Sequence, residues 1–483
     1  MKIKMSTKKQ PNILFLFADQ FRGDYMSCAG GPAKTPNLDS IAAEGVLFTN
    51  CSTVAPLCVP ARVSLFTGKY PHTTGAWDNS DYILSPEATI WTKEFKKLGY
   101  DTSLFGKTHL HTNKGNMIER EWLINGYGFD TVNESCGPHA ICSSISHMSL
   151  EWDEKGIYKP FCEDLHVRGK LPHAKPSPLP LEDYYDVYVG QKGKQYLENY
   201  DGDKPWFCHI SFAGPHEPWD TPEPYASMYK REDMPAPLPP HVSLNPDRPK
   251  GEADARLAKK DLQCSPEVAA EIRADYCGGC TLIDDQIGEI IDVIKKRGEW
   301  DNTIVLFTSD HGEQNGDQGF VNKRNFYQGA LNIPLVIRTP ETIATGGRVT
   351  DTLVSLLDVG PTLTELAGKK LDYEQFGKSL CGILDGTETD ARDYVLSEYF
   401  GEIMYKDHDW KIVTNNKGEV YLLFDLKNDP GEQRNLAASP EGEEITAILR
   451  EKMMMALAEN QCLKPVVNQL HMEPIPKIVK YCC

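Results

Sequence analysis

Hydrophobic positions in this chain fall into short unbroken runs and do not alternate with polar ones. Residues 12–18, 102–105, 206–212, 303–308 and 333–338 are such runs, rich in Ile, Leu, Val and Phe. Runs of this length predict strands buried on both faces, as in a parallel sheet covered by helices. Between them, residues 37–44, 267–297 and 356–367 carry apolar side chains at helical spacing. Alternation of the two kinds of segment predicts an α/β domain.

Two stretches interrupt the alternation. Residues 170–181 and 235–249 are proline-rich and polar. Strand-like segments resume after each, so they read as long loops and not as linkers. Beyond about Gly368 the pattern changes. Residues 393–399, 410–414 and 419–424 look like short antiparallel strands, and residues 443–460 like a long helix. The expected organisation is a large domain over residues 1–368, with a mixed, mostly parallel sheet between helices, and a smaller α+β subdomain over 369–483. A length of 483 residues accommodates both.

Composition adds limits. Hydrophobic content of 40% and charged content of 25% are ordinary for a soluble globular protein. A formal net charge of −18 gives no general attraction for nucleic acid or anionic membrane, so neither is an expected partner. It also means that an anionic substrate needs a locally positive pocket. The start of the chain is basic, but the apolar run at 13–18 is too short for a signal core and ends at Asp19. The expectation is a cytoplasmic protein. The 14 cysteines are then no sign of disulfides. Cys277 and Cys280 resemble half a zinc site but have no second pair, and read as small buried residues of a helix. The terminal Cys482 and Cys483 read as a frayed tail.

Candidate chemistry gathers behind the strands. Run 12–18 ends in Asp19-Gln20, run 102–105 in Gly106-Lys107-Thr108-His109, run 206–212 in Ala213-Gly214-Pro215-His216, and run 303–308 in Ser309-Asp310-His311-Gly312. In open α/β sheets the ligand crevice lies at the carboxyl ends of the strands. One such Asp is usually a cap or turn residue, and one such His a structural one. Four endings on one sheet point to a metal-assisted hydrolytic site. Asp19, Asp310 and their neighbours are the expected ligands, suited to a hard cation such as Ca²⁺ or Mg²⁺.

The most specific signal is Cys58-Val59-Pro60-Ala61-Arg62, followed by Thr67-Gly68. A buried cysteine before a proline-started helix would be the bland explanation. On the chemical reading, residue 58 sits at the positive end of a helix dipole, and Arg62 returns toward it one turn later. The segment resembles the signature of the type I sulfatase family, of the alkaline phosphatase superfamily. In that family the cysteine is oxidised by a separate maturation enzyme to formylglycine. Further matches follow in family order: Pro11-Asn12-Ile13 to Asp19, Thr35-Pro36-Asn37-Leu38-Asp39, Gly106-Lys107-Thr108-His109, Pro215-His216-Glu217-Pro218, Ser309-Asp310-His311-Gly312-Glu313 and Asn322-Lys323-Arg324. Asp425-Leu426 with Asp429-Pro430-Gly431-Glu432 and Asn435-Leu436 matches the C-terminal signature.

The resemblance implies an alkaline-phosphatase-like fold and an arylsulfatase-like hydrolysis of a small sulfated substrate. It implies a metal held by Asp19, Gln20, residue 58, Asp310 and His311. Lys107 and Lys323 would grip the sulfate, His216 would serve the leaving group, and His109 would serve the hydroxyls of residue 58. Asn79, with Trp77 and Asp78, is expected at the pocket, although packing accounts for Trp77 equally well. The two proline-rich stretches and the C-terminal subdomain are expected to shape its mouth. A homo-oligomer is compatible with all of this.

The chain also departs from the pattern. Many sulfatases have aspartate where this chain has Gln20 and asparagine where it has His311. Both replacements occur in related phosphonate monoester and phosphodiester hydrolases, which form the alternative, as well as in some sulfatases. Ca²⁺ is the expected metal, and an imidazole ligand also admits Mn²⁺ or Zn²⁺. The presence of both Lys107 and Lys323 favours the sulfatase side. A non-catalytic sulfate- or glycan-binding protein is the rival of another class.

Overall fold

The computed structural model describes residues 9–168, 172–463, 469–470 and 472. The first eight residues, residues 170–171 of the first proline-rich stretch, and Cys482 and Cys483 lie outside the described residues.

Nine strands form the central sheet. They are β1 (Asn12–Ala18), β2 (Val46–Ser52), β3 (Asp101–Lys107), β4 (Thr131–Ser135), β5 (Trp206–Phe212), β6 (Thr303–Ser309), β7 (Asn332–Arg338), β8 (Arg348–Thr350) and β9 (Val354–Ser355). Their order is β8-β2-β7-β6-β1-β5-β3-β4, with β9 also paired to β2. Neighbours pair in parallel except at β7, which runs antiparallel to both β6 and β2. The run at 333–338 carries no mark of this reversal. It is buried like its neighbours, and burial is what its composition encodes.

Alternate residues of β1 feed two cores, as the pleat dictates. Leu14 and Leu16 pack with Leu38 of helix α1 (Pro36–Ala43) and with Ile283 and Ile290 of a helix over Pro266–Lys296. Ile13, Phe15 and Phe17 pack on the other side with Val63 and Phe66 of helix α2 (Cys58–Thr67). Helix α3 (Tyr185–Asn199) covers the first face beside the Pro266–Lys296 helix, α4. The 31 residues of α4 begin as the rules for helix starts require: Ser265 accepts from the Val268 N–H, and Pro266 takes the first turn. Cys277 and Cys280 are buried within it. Among the described residues, no helix is long and apolar enough to cross a membrane.

Four antiparallel strands, β10 (Val395–Tyr399), β11 (Glu402–Lys406), β12 (Trp410–Thr414) and β13 (Val420–Asp425), form the C-terminal sheet. The predicted last helix is Glu443–Glu459. One face of this sheet, Val395, Met404, Val413 and Leu422, shares a core with Leu57, Phe320 and Phe326 of the larger unit.

Candidate active site

Strand register sets the convergence. Ala18 of β1 lies opposite Phe212 of β5 and Ser309 of β6, and Gly106 of β3 lies opposite Ser211. Residues 19, 213 and 310 therefore leave the sheet at one level, with Lys107 beside them as the last residue of β3. Helix α2 delivers Cys58 to the same place as its first residue. All ten residues of α2 are buried, and Asn79 Oδ1 accepts from the first-turn Val59 N–H at 3.0 Å. Asn79 thus holds the helix start.

Asp19 Oδ1, Cys58 Sγ, Asp310 and His311 offer ligand atoms within 4.8 Å of one another, all buried. Cys58 Sγ lies 3.1 Å from His311 Nε2 and 3.7 Å from Asp19 Oδ1. His311 Nδ1 faces the Gly312 carbonyl at 3.0 Å, which turns Nε2 toward Cys58 and the two carboxylates, as a metal ligand requires. Two carboxylates and an imidazole are a donor set that fits a divalent cation.

Arg62 lies within charge range of residue 58, but its hydrogen-bond donors go elsewhere. Its guanidinium donates to Asp310 Oδ2 at 2.7 Å, Asp19 Oδ2 at 2.8 Å, the Lys107 carbonyl at 2.7 Å and Ser211 Oγ at 3.2 Å. The planar fork reaches both carboxylates at once, and that geometry decides its direction. Lys107 Nζ also donates to Asp19 Oδ2, at 2.6 Å. Burial and Cys58 push the Asp19 carboxyl up, yet Lys107 and Arg62 outweigh them and hold it far below the usual range. Burial likewise opposes the Cys58 thiolate, but Lys107, His311 and Lys323 bring the thiol well below its ordinary value.

Gln20 stands in the site but not toward the metal ligands. Its amide donates to Glu217 Oε2 at 2.8 Å and to Glu313, and its oxygen accepts from Lys323 Nζ. An amide presents both a donor and an acceptor, and here a lysine and two glutamates claim them. Lys323 Nζ also lies 2.6 Å from His216 Nε2, while His216 Nδ1 faces the Glu217 carbonyl at 2.6 Å. Glu217 is brought down to about 2, against its burial, by His216 and Lys323. Burial and the neighbouring Lys107 push the His109 imidazole down, so it stays neutral.

Cys58, Asn79, Lys107, His109, His216 and Lys323 line one cavity of about 980 Å³. The pocket is locally positive: seven Lys and Arg residues line it against three carboxylates, the reverse of the chain's balance. Three expectations about its mouth need correction. The first proline-rich stretch contributes Pro172 and His173, but residues 235–249 contribute nothing. They bind instead to the Asp317 turn and to the C-terminal segment, through Leu238 O to Gln318 N and Val242 N to Gln433 O. Among the described residues the C-terminal subdomain also lies off the cavity wall, and so do Asp78 and Trp77, the latter in line with its packing alternative. Glu217 and Glu313 were visible only as letters of the motifs, and Arg256 carried no signal in the sequence.

The family model described as Sulfatase matches residues 11–369, and that described as N-sulphoglucosamine sulphohydrolase, C-terminal, matches residues 316–459. An arylsulfatase of Clostridium perfringens is 30% identical over 462 residues, covering 93% of this chain and 94% of its own length. A multifunctional alkaline phosphatase superfamily protein of Trinickia caryophylli is 29% identical over 503 residues, covering 92% and 94%. The crystal structure of a phosphonate monoester hydrolase of Agrobacterium radiobacter superposes with a TM-score of 0.77 at 27% identity, covering 93% of this chain and 96% of that one. Similarity that runs from the first strand to the last helix, around a site whose polar residues already meet, leads to one conclusion: the chain belongs to the sulfatase family and is a sulfate ester hydrolase.

Proposed function

We propose that residue 58 works as formylglycine, made from Cys58 by a maturation enzyme, and that the protein hydrolyses sulfate monoesters of small alcohols or phenols. The setting of Cys58 carries this reading. It opens a fully buried helix, touches His311 and Asp19, and forms the floor of a cation-lined cavity. Its Sγ marks the place of the aldehyde's hydroxyls. A hydrated aldehyde offers two hydroxyls on one carbon, one to attack sulfur and one to expel sulfate.

A divalent cation held by Asp19, Asp310 and His311, together with residue 58, would supply charge at the sulfuryl oxygens and acidify a neighbouring hydroxyl. The resemblance assigns Ca²⁺; the carboxylates also suit Mg²⁺ and the imidazole Mn²⁺ or Zn²⁺, so these are the occupants to compare by metal analysis. Lys107 and Lys323 bind the sulfuryl oxygens. Burial works against the Lys107 charge, and the Asp19 carboxylate beside it raises the pKa and keeps the ammonium charged. His216 and Lys323, 2.6 Å apart, hold a proton on the leaving-group side. His109 takes a proton from residue 58.

Turnover is to be measured on protein whose Cys58 conversion has been established by mass spectrometry. Cys58→Ala should lower kcat/KM for 4-nitrophenyl sulfate by on the order of 10³-fold or more. Wild-type-like turnover by this variant would remove the proposed nucleophile. Gln20, His311 and the Agrobacterium neighbour favour a second reading, phosphonate monoester hydrolysis. A higher kcat/KM for a matched aryl phosphonate than for the aryl sulfate would select it.

A further inference from the structure

Most of the cations on the cavity wall have a partner. Lys107 pairs with Asp19, Lys323 with Gln20 and Glu217, Lys114 with Asp81, and Arg168 with Asp164. Arg256, Arg324 and Lys259 do not, and of these Lys259 is exposed to solvent. Arg256, in the helix Glu252–Leu257, is 5% exposed, and its Nε is buried without a hydrogen-bond partner. Among the described residues, neither guanidinium forms an ion pair, and neither stacks on an aromatic ring. Asp261, exposed on the same wall, pairs with neither. The two arginines share one cavity wall, and burial and then Arg324 push the Arg256 pKa down, against the weaker pull of Tyr399, Glu252 and Glu313, none of which reaches it as an ion pair.

Chain geometry holds Arg324 in this position. Asn322 and Arg324 both adopt left-handed backbone, with φ of 74° and 69°, and the Arg324 N–H is fixed to the Pro56 carbonyl at 2.9 Å. Strained non-glycine residues of this kind persist where the surroundings enforce them, often at ligand sites. A buried unpaired charge such as Arg256 is costly, and a second cation on the same wall, the half-buried Arg324, adds to that cost. An anion between them removes both costs.

We infer that the cavity accepts a sulfate ester carrying a second oxyanion, a carboxylate or another sulfate, held by Arg256 and Arg324. This rests on the reading above for the first sulfate. Arg324 follows Lys323 directly, so the second anion lies next to the sulfate being cleaved. Planar guanidinium groups suit either oxyanion through paired N–H donors.

The test is calorimetric binding to Cys58→Ala protein, which separates recognition from turnover. The probes are 4-nitrophenyl sulfate, 3- and 4-carboxyphenyl sulfate, and 1,3- and 1,4-phenylene disulfate. At least one doubly anionic ester should bind ~10-fold tighter than 4-nitrophenyl sulfate. Arg256→Met and Arg324→Gln, each added to Cys58→Ala, should erase most of that ratio. The carboxylate and disulfate arms identify the oxyanion. No preference for any doubly anionic ester, or a preference that survives both substitutions, overturns the inference. Thermal melting checks for a merely structural role: Arg256→Met should keep or raise Tm, and a lowered Tm also counts against it. Turnover of 4-nitrophenyl sulfate by fully converted wild-type protein reports separately on the hydrolase reading.

Discussion

Arg62 shows how much one residue organises. Its donors reach both carboxylates, a strand-end carbonyl and a hydroxyl, so it fixes the positions of Asp19, Lys107 and Asp310 relative to α2. Lysine keeps the charge but not the fork. Arg62→Lys should therefore lose ~1–3 kcal/mol of stability, because buried acceptors lose their donors. Urea unfolding reads this loss, and metal analysis should show less bound divalent cation than in wild type. Equal stability and equal metal content would mean that the fork is dispensable. At this scale the Cys58 segment was legible, because its chemistry is carried by letters close together in the chain. The side-chain directions of Gln20 and Arg62 were not. Each depends on partners roughly 200–300 or 40–250 residues away, at Glu217, Glu313 and Lys323 for one and at Asp19, Lys107, Ser211 and Asp310 for the other.

Strands position the site only if they can approach each other. Gly106 of β3 has φ of 98°, and a Cβ there would meet the Ser211 carbonyl oxygen of β5 at 2.0 Å. No flexible group can yield at that contact, since the obstacle is backbone. Gly106→Ala should destabilise by ~1–3 kcal/mol through overpacking. It should also displace the adjacent Lys107 and lower kcat/KM by ~10-fold or more, because small misplacements in a site are expensive. An activity loss no larger than the drop in folded fraction would separate β3 from the chemistry. The elements themselves were unevenly legible. Strands β1, β5 and β6 are mostly apolar and buried along their whole length, and were read closely. Strand β2, Val46–Ser52, turns polar halfway, and α3 contains two glycines and several aromatic residues that weaken a helical pattern. Both owe their form to packing.

The whole molecule behaves as a continuous body at the junction with the C-terminal sheet. Leu57, the residue before the site cysteine, shares a core with Val395, Met404 and Leu422. Lys411 of β12 is buried, donates to the Phe326 carbonyl at 2.7 Å and pairs with Glu432. Cutting the chain near residue 368 would expose that core, so the C-terminal sheet is not a free-standing unit. Hydrogen exchange at rising urea should show β10–β13 and β1 losing protection over the same concentration range. Earlier loss in β10–β13 would show that the C-terminal sheet unfolds on its own.

The amino-acid sequence determined the layered α/β architecture, the strand ends that carry the chemistry and the place of the reactive cysteine. These depend on local periodicity and on residues near each other in the chain. Only the tertiary structure decided that β7 runs backwards, that Arg62 serves the carboxylates, that residues 235–249 stay off the cavity, and that Arg256 stands unpaired beside Arg324. Direction and partnership are fixed by what a segment meets across the fold, and no local pattern encodes that.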